Sequence, residues 1–146
     1  MRHVTQHGIN LIKRFEGFEA EIYLDAAGLP TIGYGHLLRS GEAEMFKNGI
    51  SPEAGEALLI KDVLSAESAV LRLVRVPLTD GQFDALVSFT FNLGAGALQR
   101  STLRRKVNRE EHNEVPEQFM RWVWAGGRSL RGLIRRREEE SLHYIA

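Results

Sequence analysis

The sequence predicts an α+β fold, mostly helical, with one small sheet near the N-terminus. Three observations lead there. Only one stretch, EIYLDAAGLPTIGYG at residues 21–35, has two short β-prone runs on either side of a turn. Most of the remainder carries helix caps and apolar residues at helical spacing. With 146 residues, 43% of them hydrophobic, and neither internal repeats nor an obvious linker, the chain can build a core without disulfide or metal support.

The elements follow in order. Ile9, Ile12 and Phe15 recur at helical spacing and define a first helix that stops near Gly17, which leaves Glu16 at a helix C-terminus. The two β runs turn at Asp25-Ala26-Ala27-Gly28, with Asp at the first turn position and Gly where φ is positive. Ser51 is an N-cap and Pro52 a first helical residue. From there one long helix is expected to about residue 74, with Leu59, Val63, Ala66, Val70 and Leu73 as its apolar stripe, long enough to connect two lobes. Thr79 to Gln82 form a capping box, opening a helix whose Phe83, Leu86, Val87 and Phe91 face inward until Gly94 stops it. Shorter helices are expected near 101–108, 115–124 and 132–144.

Composition narrows the chemistry. There is no cysteine, so disulfides, zinc-thiolate sites and a cysteine nucleophile are excluded, and folding in a reducing compartment is expected. The five histidines show no HExxH or other paired spacing, and neither a metal nor a cofactor is expected. The N-terminus lacks the apolar core of a signal peptide, and no run of about eighteen apolar residues exists. Net charge is zero but unevenly spread: residues 1–99 hold eight basic and twelve acidic side chains, residues 100–146 eleven and seven. The basic final third suits a polyanion, or single arginines on solvated helix faces.

Glu16, Asp25 and Thr31, separated by eight and then five residues, are close enough along the chain for short connections to bring them together. A carboxyl packed near Phe15 and Phe18 keeps its proton, whereas a carboxylate at a wetter turn stays ionised, which yields one acid and one base. Glycosidic bond cleavage needs that pair, with a hydroxyl such as that of Thr31 to aim the water. Asn92, just before the Gly94 stop, is placed either to reach a sugar acetamido group or to cap its helix. Gly33 and Gly35 serve either close approach of a ligand to the backbone or a twisted hairpin. Trp122 and Trp124 stack on sugar or pack in the core.

The spacing of Glu16, Asp25 and Thr31, continued by Ile32-Gly33-Tyr34-Gly35-His36, resembles that of the phage-type lysozymes, glycoside hydrolase family 24. The likeness runs on through Ile50-Ser51, Lys61-Asp62-Val63, Arg75-Val76-Pro77-Leu78, Phe91-Asn92-Leu93-Gly94, Ser101-Thr102-Leu103 and Gly132-Leu133 with Arg135-Arg136-Arg137. It implies Glu16 as general acid, Asp25 as base or electrostatic partner and Thr31 as second ligand of the water. It also implies Leu37, Phe91 and Thr102 as cleft positions and Asp62 as the ion-pair partner of a structural His36. The implied organisation is one lysozyme-like catalytic domain over 1–146, with a small β lobe at about 18–50 and a helical lobe at about 75–146 plus the N-terminal helix, the sugar cleft between them.

The activity so implied is that of an endolysin, a muramidase cutting the β-1,4 bond between N-acetylmuramic acid and N-acetylglucosamine in peptidoglycan. A lytic transglycosylase acting on the same bond is the alternative. An arginine-rich nucleic-acid-binding module is a third reading, against which Arg135-Arg136-Arg137 is followed at once by Glu138-Glu139-Glu140. The resemblance further implies a monomer without stable membrane association, held in the host cytoplasm until a holin gives it access to the wall.

Overall fold

A computed structural model describes residues 1–146. Two compact units are present, Ile12–Leu64 and Met1–Leu11 with Ser65–Ala146.

The smaller unit is built on a three-stranded antiparallel sheet in the order β1 (Glu19–Leu24), β2 (Pro30–Gly33), β3 (His36–Leu37). It begins within helix α1 (Gln6–Glu16), which Gly17 ends at φ 72°, turning the chain into β1. Tyr23 pairs with Thr31, and Thr31 with Leu37, so these three side chains stand in one row on one face of the sheet. Ile32 and His36 pair on the opposite face. A short helix α2 (Glu42–Met45) follows, then α3 (Pro52–Asp62), capped by the Ser51 hydroxyl, which accepts the Ala54 N–H at 3.1 Å. Helix α3 lies close over β2: a Cβ on Gly55 would meet the Phe18 ring at 2.8 Å, and Phe18 stacks at a tilt on Tyr34 with centroids 5.2 Å apart.

The expected single helix from 52 to 74 is corrected. It is two helices, α3 and α4 (Leu64–Leu73), separated at Val63, where ψ opens to −10° although the Val63 N–H still reaches Leu59 O at 2.9 Å. All five residues of the expected stripe are buried.

The larger unit is centred on α5 (Asp80–Leu93), whose N-terminus carries the complete Thr79/Gln82 capping box. Phe83, Leu86 and Val87 are buried as expected, whereas Phe91 is only half-buried. Helices α6 (Ala95–Arg100) and α7 (Thr102–Asn108), a 3-10 turn (His112–Glu114) and α8 (Val115–Phe119) lead to α9 (Arg131–Ile145), which packs on α5. Rings of Phe89, Phe119, Trp122 and Tyr144 meet edge to face within 5.6–5.9 Å. The expected helix at 115–124 stops at Phe119, and Trp124 lies in a two-stranded hairpin, β4 (Trp124–Ala125) and β5 (Arg128–Ser129). After Phe119 the chain tightens into turn bonds, Arg121 N–H to Gln118 O at 3.3 Å and Trp122 N–H to Phe119 O at 3.0 Å, and Gly126 and Gly127, at positive φ of 59° and 77°, then form the hairpin turn. At the start of the chain, two buried carboxylates hold backbone amides, Glu67 that of Val4 at 2.7 Å and Asp84 that of Thr5 at 2.9 Å.

One charged cluster is fully inside this unit. Arg136, Arg137 and Glu140 are buried, and Glu140 accepts the Ser88 hydroxyl at 2.6 Å. Arg137 Nε stands 2.8 Å from Glu140 Oε1 without aiming its N–H at it, so charge more than hydrogen bonding holds that contact. Burial drives the Arg137 pKa down to about 10, against the pull of Glu140, and drives that of Glu140 up, against the pull of both arginines.

Candidate active site

Glu16 is the last residue of α1, and its carboxyl is directed over the tight connection between β2 and β3. A Cβ on Gly35 would stand 2.8 Å from Glu16 Oε1. Gly35 also has φ +79°, so glycine is required there both for the bend and for the room the carboxyl occupies.

Asp25 heads the β1–β2 turn and organises it. Its Oδ1 accepts the amides of Ala27 and Leu29, both at 2.9 Å, while its backbone N–H donates to Leu29 O at 2.9 Å. The turn occupies Oδ1 and leaves Oδ2 out of it. Thr31, in β2, is 2% exposed, and its hydroxyl donates to Leu29 O at 2.9 Å. With that hydrogen committed, Thr31 Oγ1 meets any further partner as an acceptor. Leu29 therefore touches both groups, its N–H on Asp25 and its C=O on Thr31.

Tyr23 is the one residue of β1 that is not exposed, and it was not among the residues singled out from the sequence. Burial first, then the carboxylates of Glu19, Glu16 and Asp25, hold its phenol above the usual tyrosine pKa, so the hydroxyl keeps its proton. The signal was present in the alternation of a half-buried hairpin, since residues paired across it share a face.

On the other face, His36 is 5% exposed and sits between two carboxylates, with Nδ1 2.8 Å from Asp62 Oδ2 and Nε2 3.0 Å from Glu42 Oε1. The implied contact with Asp62 is present, and Glu42 is an added partner. Burial opposes charging of the ring, but the hydrogen bonds to Asp62 and Glu42 outweigh it and raise its pKa.

Leu37 is 50% exposed on the row of Tyr23 and Thr31. Phe91, Asn92 and Thr102 belong to the larger unit. Asn92 Oδ1 accepts from Arg137 Nη2 at 2.6 Å, so its amide oxygen has a structural partner, and Thr102 Oγ1 accepts from Arg105 at 2.9 Å. Trp122 packs on Phe89 and under Arg100, whereas Trp124 is exposed. No three His, Asp or Glu side chains are grouped to hold a metal ion.

The phage lysozyme family matches residues 13–140. The endolysin of Salmonella phage P22 is 37% identical over 143 residues, covering 97% of this chain and 98% of that protein. The endolysin of Bacillus phage B103 is 41% identical over 145 residues, covering 98% of this chain, which spans only 54% of that longer protein. Among solved structures, the muramidase domain of SpmX from Asticaccaulis excentricus superposes with a TM-score of 0.87 at 37% identity, covering 99% of both chains. A mutant P22 lysozyme superposes with a TM-score of 0.87 at 32% identity, covering all of both. The fold is thus lysozyme-like, and the chain belongs to the phage lysozyme family.

Proposed function

We infer that the protein is an endolysin of muramidase type, a glycoside hydrolase cutting the β-1,4 bond between N-acetylmuramic acid and N-acetylglucosamine in peptidoglycan. The observation that carries the reading is the hairpin in which one residue, Leu29, sets both Asp25 and Thr31, with Glu16 at the adjoining helix end. Family membership supports it.

In this reading Glu16 protonates the departing glycosidic oxygen. A water gives one hydrogen to Asp25 Oδ2, the oxygen outside the turn, and the other to Thr31 Oγ1, whose own hydrogen is committed to Leu29. Both water hydrogens are then engaged, and a lone pair is left for the anomeric carbon on the side opposite Glu16. Attack from that side inverts the configuration. Leu37, Phe91, Asn92 and Thr102 are proposed glycan contacts, and no cofactor enters. Release from the host cytoplasm through a holin lesion, action as a monomer and the absence of stable membrane association are proposed with this reading. No helix of the chain is long and apolar enough to cross a membrane.

Digestion of purified peptidoglycan in oxygen-18 water tests the assignment. One labelled oxygen at each new reducing end, first as the α-anomer, is expected. A 1,6-anhydromuramic product would identify a lytic transglycosylase, and an initial β-anomer would mean that Asp25 attacks carbon directly.

A further inference from the structure

The catalytic face of the sheet has a shortage of hydrogen-bond donors. Asp25 meets the turn only through an acceptor oxygen, and Thr31 has one donor, already given to Leu29 O at 2.9 Å. The hydroxyl of Tyr23 makes no hydrogen bond within the protein, yet it belongs to the same cross-strand row, paired directly with Thr31 on the side away from Leu37. Directly paired residues have Cβ atoms about 5 Å apart, well within the reach of a phenol. Tyr23 lies two residues before Asp25, which heads the turn that follows the strand. Half-burial of a tyrosine in an otherwise exposed strand gives it the usual amphipathic role: the ring covers neighbours while the polar end stays available to a ligand.

We propose that Tyr23 is a substrate-contacting residue, its phenolic O–H donating a hydrogen bond to an acceptor oxygen of the N-acetylated sugar whose anomeric carbon faces Asp25 and Thr31. The proposal rests on the muramidase reading. The charged groups facing the phenol, Glu16 from α1, Glu19 from β1 and Asp25 from the turn, are all acidic and keep it protonated, so it remains a donor wherever the two catalytic carboxyl groups function. The sugar supplies an acceptor oxygen for that donor. Because the sugar concerned is the one that reacts, the contact tightens as the bond breaks and appears in kcat rather than in KM.

Tyr23→Phe, which keeps the ring and removes the hydroxyl, tests it on soluble peptidoglycan fragments. Expected is a loss of about tenfold in kcat with KM within about twofold and an unchanged melting temperature. Glu19→Gln, which alters the field at the phenol without touching its hydroxyl, should retain wild-type kcat and KM. Wild-type rates for Tyr23→Phe would overturn the proposal, as would a loss that follows a lowered melting temperature and is recovered at a cooler assay temperature. Failure of the muramidase reading looks different: the wild-type protein would release no reducing ends and Glu16→Gln would match it, and the proposal would fall with that reading.

Discussion

Gly35 faces the Glu16 carboxyl so closely that a single added methyl would stand 2.8 Å from Oε1. The atom it would meet is the free end of a flexible side chain, so the clash is relieved by moving the carboxyl, not by unfolding. Gly35→Ala should therefore lose about a hundredfold in rate, as misplacement of a reacting group by an ångström does. The left-handed backbone at φ +79° adds a stability cost of about 1–2 kcal/mol. Reducing-end release and urea melts on the same preparation separate the two effects, and a fully active Gly35→Ala would show that the acid is not positioned there.

Asp25 holds its turn through Oδ1 and leaves Oδ2 out of it, and two substitutions separate the turn from the proposed chemistry. Asp25→Asn keeps an acceptor for the Ala27 and Leu29 amides, so the turn should hold its stability while lysis is lost. Asp25→Ala removes both bonds and should cost an additional ~1–2 kcal/mol in a chemical melt. Equal stability of the two variants would mean that the turn does not depend on Oδ1.

His36 brings a pH dependence. Its raised pKa means that the native state holds the proton more tightly than the unfolded chain, which contributes stability fully below the unfolded value near 6.5 and loses it as pH rises through the folded value. Glu42, whose pKa is lowered by the Arg39 amide and then by His36, contributes above about 4.5 and stops as pH falls through its folded value. The contact is thus strongest between those two limits. His36→Asn should lower the melting temperature more at about pH 5.5 than at about pH 9, and an equal drop at both would show that the ring is not charged in the native state.

Inside the larger unit, Glu140 is the shared counter-charge of Arg136 and Arg137. Glu140→Gln preserves shape but leaves two buried guanidinium groups facing each other, and a loss on the order of 3–5 kcal/mol in urea unfolding is expected. A loss below about 1 kcal/mol would mean that water reaches the cluster.

What the sequence made legible was local. The Ser51 cap, Pro52 and the Thr79/Gln82 box announce helix starts because the groups that satisfy each other lie three residues apart. Glu16, Asp25 and Thr31 could be singled out together because they lie close along the chain, and in the structure Leu29 ties Asp25 to Thr31. Strands β3, β4 and β5 have two residues each, too few to show any alternation, and they are defined by partners across a turn. The opening at Val63 has no Gly or Pro to signal it, and apolar spacing continues unbroken through it. Glu42 was missed beside His36 because their contact requires the bend at 38–41, and Tyr23 because the hairpin's alternation reveals it only once the pairing register with Thr31 is known.

The shared grip on Leu29 has a mechanical consequence. Motion of the hairpin tip carries Leu29, and through its two ends carries Asp25 and Thr31 with it, so the displacement is common to both and cancels in the distance between them. The separation of either from Glu16, which is anchored on a helix, does not cancel. Thermal motion of this loop therefore leaves the spacing of Asp25 and Thr31 constant and is felt instead as jitter in how far the pair stands from Glu16. Stiffening the tip would act on that one coordinate alone.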